Sequence, residues 1–151
     1  MLKYNLTQID IISKKILSNL SKSDFLFLYG ELGSGKTTFT RSLINQLQEK
    51  NKVNKTEVPS PTFNLLYEYE VKSLKIMHYD LYRLKTAKEI EQLGIFEDFS
   101  NVLFIIEWPE KVKKKIDNRL EITFYHQSDP TLRKIKFKGF GRWQNFKLNA
   151  I

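Results

Sequence analysis

The stretch from Gly30 to Thr38, which reads G-E-L-G-S-G-K-T-T, decides the fold of this chain. It has the spacing G-x-x-x-x-G-K-[ST], in which glycines let backbone N–H groups surround phosphate oxygens at the start of a helix. An apolar run at residues 25–29 precedes the loop, and a helix-like stretch at residues 39–48 follows it. Because the motif requires this strand–loop–helix context, the sequence predicts a phosphate-binding loop.

Two side chains of the loop have distinct predicted roles. Lys36 can reach the β- and γ-phosphates of a nucleotide, and the Thr37 hydroxyl can ligate Mg²⁺. The guanine-reading pattern N-K-x-D is absent, since the nearest run, residues 54–57, ends in Glu57. We therefore predict ATP and Mg²⁺ as the bound species. The predicted ATP-binding residues of the loop are Gly30, Glu31, Leu32, Gly33, Ser34, Gly35, Lys36, Thr37 and Thr38.

Length and composition exclude several classes of protein. A chain of 151 residues suggests one domain over residues 1–151, which is too short for the paired lobes of a helicase motor. The chain has no cysteine, which excludes disulfides, zinc–thiolate sites and thiol nucleophiles. Its N-terminus does not resemble a signal peptide, and no stretch approaches the roughly 18 apolar residues of a membrane span. We expect a soluble, cytoplasmic protein with no membrane partner.

The net charge of +8 is concentrated in the C-terminal third. Residues 110–151 contain 11 Lys and Arg against 4 Asp and Glu. Such an excess attracts phosphate backbones or acidic protein surfaces. A lysine-rich composition that only maintains solubility explains the same excess, and the sequence does not choose between these interpretations.

Apolar patterning predicts an α/β fold of three layers, similar to P-loop NTPases. We expect a central mixed, mainly parallel sheet with helices on both faces. The first helix should begin at a Thr7 cap, and a hairpin should join residues 63–70 and 74–80. The other predicted elements are strands at 25–29, 102–106, 121–125 and 133–140, and a helix at 85–93. Ligands of such folds bind beyond the carboxyl ends of the parallel strands.

Two acids follow predicted strands and are candidates for the metal site and for catalysis. Glu107 ends the run 102–106, and Asp80 ends the run 75–79. Either carboxylate can hold Mg²⁺, directly or through water, while the other orients the attacking water. The alternative is that each acid only caps a strand or forms a surface ion pair.

Four further residues near these motifs have open roles. Trp108, which directly follows Glu107, can stack on adenine, close over the site or simply pack. Thr62 lies in the stiff proline segment 58–62 and can contact the γ-phosphate as a catalytic switch residue. Arg83 can neutralise phosphate charge or form a structural ion pair. His78 fits a packed strand residue better than a catalytic one.

Several motifs together resemble one family, TsaE, also called YjeE. They are G-E-L-G-S-G-K-T-T (30–38), V-P-S-P-T-F (58–63), H-Y-D-L-Y-R-L (78–84), L-G-I (93–95) and I-E-W-P-E (106–110). The resemblance spans about residues 5–125, and the C-terminal segment from residue 133 matches poorly. It assigns the phosphate contact to Lys36, the metal contacts to Thr37, Asp80 and Glu107, and the family tryptophan to Trp108.

The resemblance implies a bacterial ATPase of tRNA threonylcarbamoyladenosine synthesis. Such an ATPase assists a threonylcarbamoyl transferase subunit (TsaD) and its inactive paralogue (TsaB), which modify adenosine 37 of tRNAs that read codons beginning with A. Contact with tRNA, directly or through the complex, is also implied. We expect hydrolysis to be slow until the partners dock, because Thr62, Asp80 and Glu107 would align only then.

Two other activities share the phosphate-binding loop and stay open. A small-molecule kinase usually carries an arginine-rich lid, whereas the arginines here are scattered along the chain. A non-hydrolytic switch would use ATP binding alone to control partner affinity. Nucleotide turnover with and without the partners separates these alternatives.

Overall fold

The computed structural model describes residues 1–95, 97 and 100–148. The strands in this range are β1 (Leu2–Asn5), β2 (Phe25–Tyr29), β3 (Leu66–Val71), β4 (Leu74–Asp80), β5 (Val102–Glu107), β6 (Arg119–His126) and β7 (Leu132–Phe140). The α-helices are α1 (Ile9–Leu17), α2 (Lys36–Lys50) and α3 (Ala87–Gln92), and short 3₁₀ turns lie at Leu6–Gln8, Pro109–Lys111 and Gly141–Trp143. Within the described ranges, every helix is too short or too polar to cross a membrane.

All seven strands belong to one mixed sheet in the order β1-β7-β6-β2-β5-β4-β3. The four central strands, β6, β2, β5 and β4, run parallel, while β3 and the pair β7 and β1 add antiparallel strands at the two sides. Because parallel strands end at the same edge of a sheet, this order brings the ends of β2, β4 and β5 together. The predicted mixed sheet with a parallel centre is confirmed.

Helices cover both faces of the sheet, as predicted. One hydrophobic cluster joins α1 and α2 to the sheet, and contains Ile12, Phe39 and Leu26. The second cluster lies on the opposite face, where Ile90 of α3 packs with Phe104 of β5. The central strands are buried on both faces, which explains why their sequences are continuous apolar runs rather than alternating ones.

The N-terminal region differs from the sequence prediction. Asn5, not Thr7, caps the first helical segment, because its side chain accepts from the backbone N–H of Gln8 and the Gln8 side chain accepts from the backbone N–H of Asn5. The Thr7 hydroxyl donates to the Asn5 side chain instead, at 2.6 Å. Strand β1 was not predicted, because four residues are too few to show a periodic pattern.

Candidate functional site

Tight backbone geometry shapes the loop between β2 and α2. Gly30, Gly33 and Gly35 have φ angles of 139°, 73° and 113°, which L-residues with a side chain rarely adopt. A Cβ atom at Gly30 would lie 2.6 Å from the carbonyl oxygen of Phe124. The loop leads directly into α2 at Lys36, where the first N–H groups of the helix lack partners within the helix. This arrangement suits an anion such as phosphate.

Lys36 is buried beneath the loop, with 5% of its surface exposed. Its Nζ donates to the carbonyls of Gly30 and Glu31 at 2.7 and 3.0 Å, and lies 4.3 Å from the ring centroid of Trp108. Burial lowers the pKa of Lys36, and the nearby carboxylates of Glu107 and Asp80 oppose this effect. The ammonium is therefore held in a partly desolvated position where a phosphate oxygen would interact strongly with it.

Glu107 connects three elements at the end of β5. It is 2% exposed, and its Oε1 accepts from the Thr37 hydroxyl at 3.0 Å. The same oxygen lies 2.9 Å from Nε2 of His78, a fully buried residue of β4. The predicted metal ligands Thr37 and Glu107 are therefore in direct contact, although 70 positions separate them in the chain.

Asp80 ends β4 beside Glu107, which is its register partner on β5. Its Oδ2 accepts from the Thr62 hydroxyl at 2.8 Å, and its Oδ1 accepts from the backbone N–H of Tyr82 at 2.9 Å. Burial raises the pKa of Asp80, while these two hydrogen bonds act in the opposite direction. The hydroxyls of Ser60 and Thr62 lie 2.8 Å apart, so the proline segment is attached to the acid site.

A cavity of about 530 Å³ opens between the loop, the proline segment and the strand ends. Its lining comprises Leu32, Gly33, Gly35, Lys36, Thr37, Thr38, Ser60, Thr62, Phe63, Asp80, Tyr82, Glu107 and Trp108. Of the other predicted site residues, Gly30 and Glu31 bind Lys36 through their carbonyls, and Ser34 Oγ is buried without a hydrogen-bond partner. The structure thus brings the predicted residues together around one cavity.

A larger cavity of about 790 Å³ lies between α1 and α2. Thr38 is the predicted site residue that also lines this second cavity. The glycine-rich loop with Lys36, Asp80 and Glu107 lines the cavity of about 530 Å³, which lies beyond the carboxyl ends of the parallel strands. Size alone does not identify a site, and we assign the candidate site to the smaller cavity.

The donor set of this cavity fits Mg²⁺ with a nucleotide. Mg²⁺ prefers oxygen ligands, keeps several waters and binds through one or two carboxylates together with substrate phosphates. Thr37, Asp80 and Glu107 offer such oxygens. Among the described residues, no group of three or more His, Asp and Glu side chains is arranged so that it could hold a metal ion. The cavity therefore matches a metal shared with phosphates better than a metal held by protein alone.

Trp108 lies over Lys36 at the wall of the cavity. Its backbone is left-handed, with a φ angle of 58°, and its ring packs 4.9 Å from the Tyr82 ring and over the Lys36 ammonium. Since Lys36 is the expected partner of the β- and γ-phosphates, this position agrees with a residue that closes over the site. Adenine stacking stays a prediction.

Arg83 and His78 have contacts that the sequence did not foresee. The Arg83 Nη1 donates to the carbonyl of Phe63 at 2.9 Å, which braces the segment after Thr62. His78 hydrogen-bonds Glu107 rather than only packing. The spacing offered a signal, because His78 precedes Asp80 by two residues and strand neighbours at this spacing share one face.

Comparison with known proteins identifies the family. Residues 4–135 match the family model described as threonylcarbamoyl adenosine biosynthesis protein TsaE. The chain belongs to the TsaE family. The resemblance seen in the sequence motifs is thereby confirmed.

Several relatives support this assignment. The TsaE protein of Rickettsia felis is 42% identical over 102 residues, which are 68% of this chain and 57% of the relative's own length. The TsaE protein of Bacillus subtilis is 33% identical over 132 residues, which are 86% of this chain and 78% of the relative's own length. The crystal structure of B. subtilis YdiB matches with a TM-score of 0.67 at 27% identity, and the match covers 93% of this chain and 86% of YdiB.

Proposed function

We propose that this chain is an ATP hydrolase that supports tRNA threonylcarbamoyladenosine synthesis. The convergence of Lys36, Thr37, Asp80 and Glu107 on one cavity is the observation that supports hydrolysis. Membership of the TsaE family, whose members are named for threonylcarbamoyladenosine biosynthesis, supports the role in tRNA modification. The reaction converts ATP and water to ADP and phosphate, and we place it in the cytoplasm.

Each group has a role that follows from its position. The loop N–H groups and Lys36 would bind the phosphates, and Thr37 with Glu107 or Asp80 would hold Mg²⁺. A bound Mg²⁺ would supply positive charge that stabilises the phosphate oxygens. The second acid orients the attacking water, and Thr62, bonded to Asp80, connects that acid to the proline segment.

Dependence on partner proteins is supported by the rim of the cavity. Phe63, Leu32 and Tyr82 line the cavity, yet they are 81%, 63% and 47% exposed. Exposed apolar side chains grouped around a cavity mark an interaction site. We propose that the transferase subunit TsaD and its inactive paralogue TsaB cover this rim and close the cavity around the nucleotide.

For tRNA, a direct contact and a contact through the complex both stay open. The surface best suited to direct contact is the side of β7 that faces away from buried Ile135. It carries Lys134, Lys136 and Lys138, and Lys3 of β1 is the register partner of Lys134. Charge reversal at Lys136 and Lys138 should weaken tRNA binding and its salt dependence, whereas reversal at Lys14 and Lys50 on the helical face should not.

Phosphate release from ATP tests the proposed activity. We expect a slow rate for the protein alone, a higher rate with the transferase pair, and no activity in Lys36→Ala. ADP and phosphate should form in equal amounts without a small-molecule acceptor, whereas a kinase would require one. A Glu107→Gln variant that binds ATP, does not hydrolyse it and still supports tRNA modification would establish a switch instead.

A further inference from the structure

His78 occupies an unusual position for a polar side chain. It lies in β4 between β3 and β5, with Tyr67 and Ile105 as its register partners, and none of its surface is exposed. It is not among the residues that line the nucleotide cavity. Burying an imidazole costs free energy unless the ring is hydrogen-bonded, whereas an apolar side chain would carry no such cost. The presence of a histidine here therefore needs a physical reason.

The hydrogen bonds of the ring point to that explanation. Nε2 lies 2.9 Å from Glu107 Oε1, while Nδ1 is buried without a partner. Because an ionised carboxylate only accepts hydrogen bonds, Nε2 is the donor of this contact and Glu107 Oε1 is the acceptor. Over the described residues, Glu107 is the hydrogen-bond partner of the ring.

Glu107 is held at one oxygen only. Its Oε1 receives both the His78 Nε2–H and the Thr37 hydroxyl, from a neighbouring strand and from the start of α2. Both of the hydrogen bonds that Glu107 receives from described side chains end on Oε1. Two donors at one oxygen restrict rotation of the carboxylate and leave the other oxygen available to a metal or a water.

We propose that His78 is a positioning residue that orients Glu107 toward the metal and the attacking water. This inference rests on the proposed function, in which Glu107 serves the Mg²⁺–nucleotide site. His78 acts through Glu107, and a donor at the position of Nε2 is the property that matters. Partners of this kind behind a metal ligand typically change metal affinity or activity by about 10- to 100-fold when they are removed.

Variants that differ in the donor test the proposal. His78→Gln can place an amide N–H near the position of Nε2, His78→Asn places it nearer to Nδ1, and His78→Leu removes it. Ile76→Val is a matched control, because Ile76 is equally buried and lies two residues away on the same face of β4. Mn²⁺ affinity in the presence of a non-hydrolysable ATP analogue is the main measurement, with kcat and KM as the second.

We expect His78→Leu and His78→Asn to weaken Mn²⁺ binding by about tenfold or more and to lower kcat. The Mn²⁺ affinity and kcat of His78→Gln and Ile76→Val should stay near the wild-type values. Nucleotide affinity measured without metal should change little in all four variants. Wild-type Mn²⁺ binding in His78→Leu overturns the proposal. Equal loss in a folded His78→Gln and His78→Asn also overturns it, because the donor would then not matter.

Imidazole ¹⁵N spectra test the contact without nucleotide or turnover. The Nε2–H tautomer of His78 should be visible in the wild type, and its signal should shift in Glu107→Gln. A signal that is insensitive to this substitution contradicts the proposal even if the protein hydrolyses ATP. Conversely, a wild type that binds Mn²⁺ and the analogue but releases no phosphate contradicts only the proposed hydrolysis.

Discussion

Asp80 and Glu107 are register partners at the carboxyl ends of β4 and β5, and each residue is only 2% exposed. Burial raises the pKa of Asp80, and the negative charge of the neighbouring Glu107 carboxylate adds to this rise. Positive charge relieves this repulsion, and Lys36 and a bound divalent cation would supply it. The acid pair therefore favours metal binding and costs stability without it.

Replacing Asp80 with Asn should abolish hydrolysis and stabilise the fold. The native state binds the Asp80 proton more tightly than the unfolded chain, so the ionised carboxylate costs stability above its raised pKa and this cost fades as the pH falls. We expect Asp80→Asn to raise the free energy of unfolding by about 1 kcal/mol at pH 8. Urea unfolding across pH values should show the gain shrinking toward acidic pH. A variant less stable than the wild type at pH 8 would contradict this account.

Nucleotide affinity should begin to fall at a lower pH than the deprotonation of an exposed lysine would predict. Burial lowers the pKa of Lys36, so the ammonium loses its proton at a lower pH than an exposed lysine does. ATP affinity measured as a function of pH should report this loss. Lys138→Ala, on the distant β7 face, should show the same decrease. Affinity that stays constant up to the usual lysine range would count against a role of Lys36 in phosphate binding.

Thr62→Val should impair turnover more than nucleotide binding. The substitution removes the hydroxyl that donates to Asp80 and that opposes the rise of its pKa. We expect kcat to fall by about tenfold or more, and the acidic limb of the pH–rate profile to move to higher pH. Thr62→Ser keeps the donor and should restore most of the rate. If valine and serine behave alike, the hydrogen bond to Asp80 has no part in turnover.

Gly30→Ala should destabilise the protein more than Gly33→Ala. Both residues have positive φ angles, but a Cβ at Gly30 would meet the Phe124 carbonyl at 2.6 Å, whereas the nearest atom at Gly33 is His126 Cε1 at 3.9 Å. A backbone carbonyl in a central strand cannot move aside as a side chain can. We expect Gly30→Ala to lower the free energy of unfolding by about 1–3 kcal/mol more than Gly33→Ala does. Chemical denaturation of the two variants gives the comparison, and equal losses would disprove the steric argument.

Local patterns account for much that the sequence predicted correctly. The phosphate-binding loop, the apolar runs of β2 and β5 and the hairpin of β3 and β4 depend on neighbouring residues, so a single segment reveals them. The placement of Asp80 and Glu107 followed from one general rule, that parallel strands end at a common edge. The helix cap was misassigned to Thr7 because Asn5 and Gln8 form a competing capping box.

The sequence by itself determined the family, the phosphate-binding loop, the α/β class and the candidate acids, because each is written in short segments with a fixed chemical meaning. Only the tertiary structure decided that His78 and Thr37 share one oxygen of Glu107, that Trp108 lies over Lys36, and that β1 completes the sheet. These contacts join residues distant in the chain. Strand order, register and the packing of α2 on the sheet set such distances, and these depend on the whole chain rather than on any one segment.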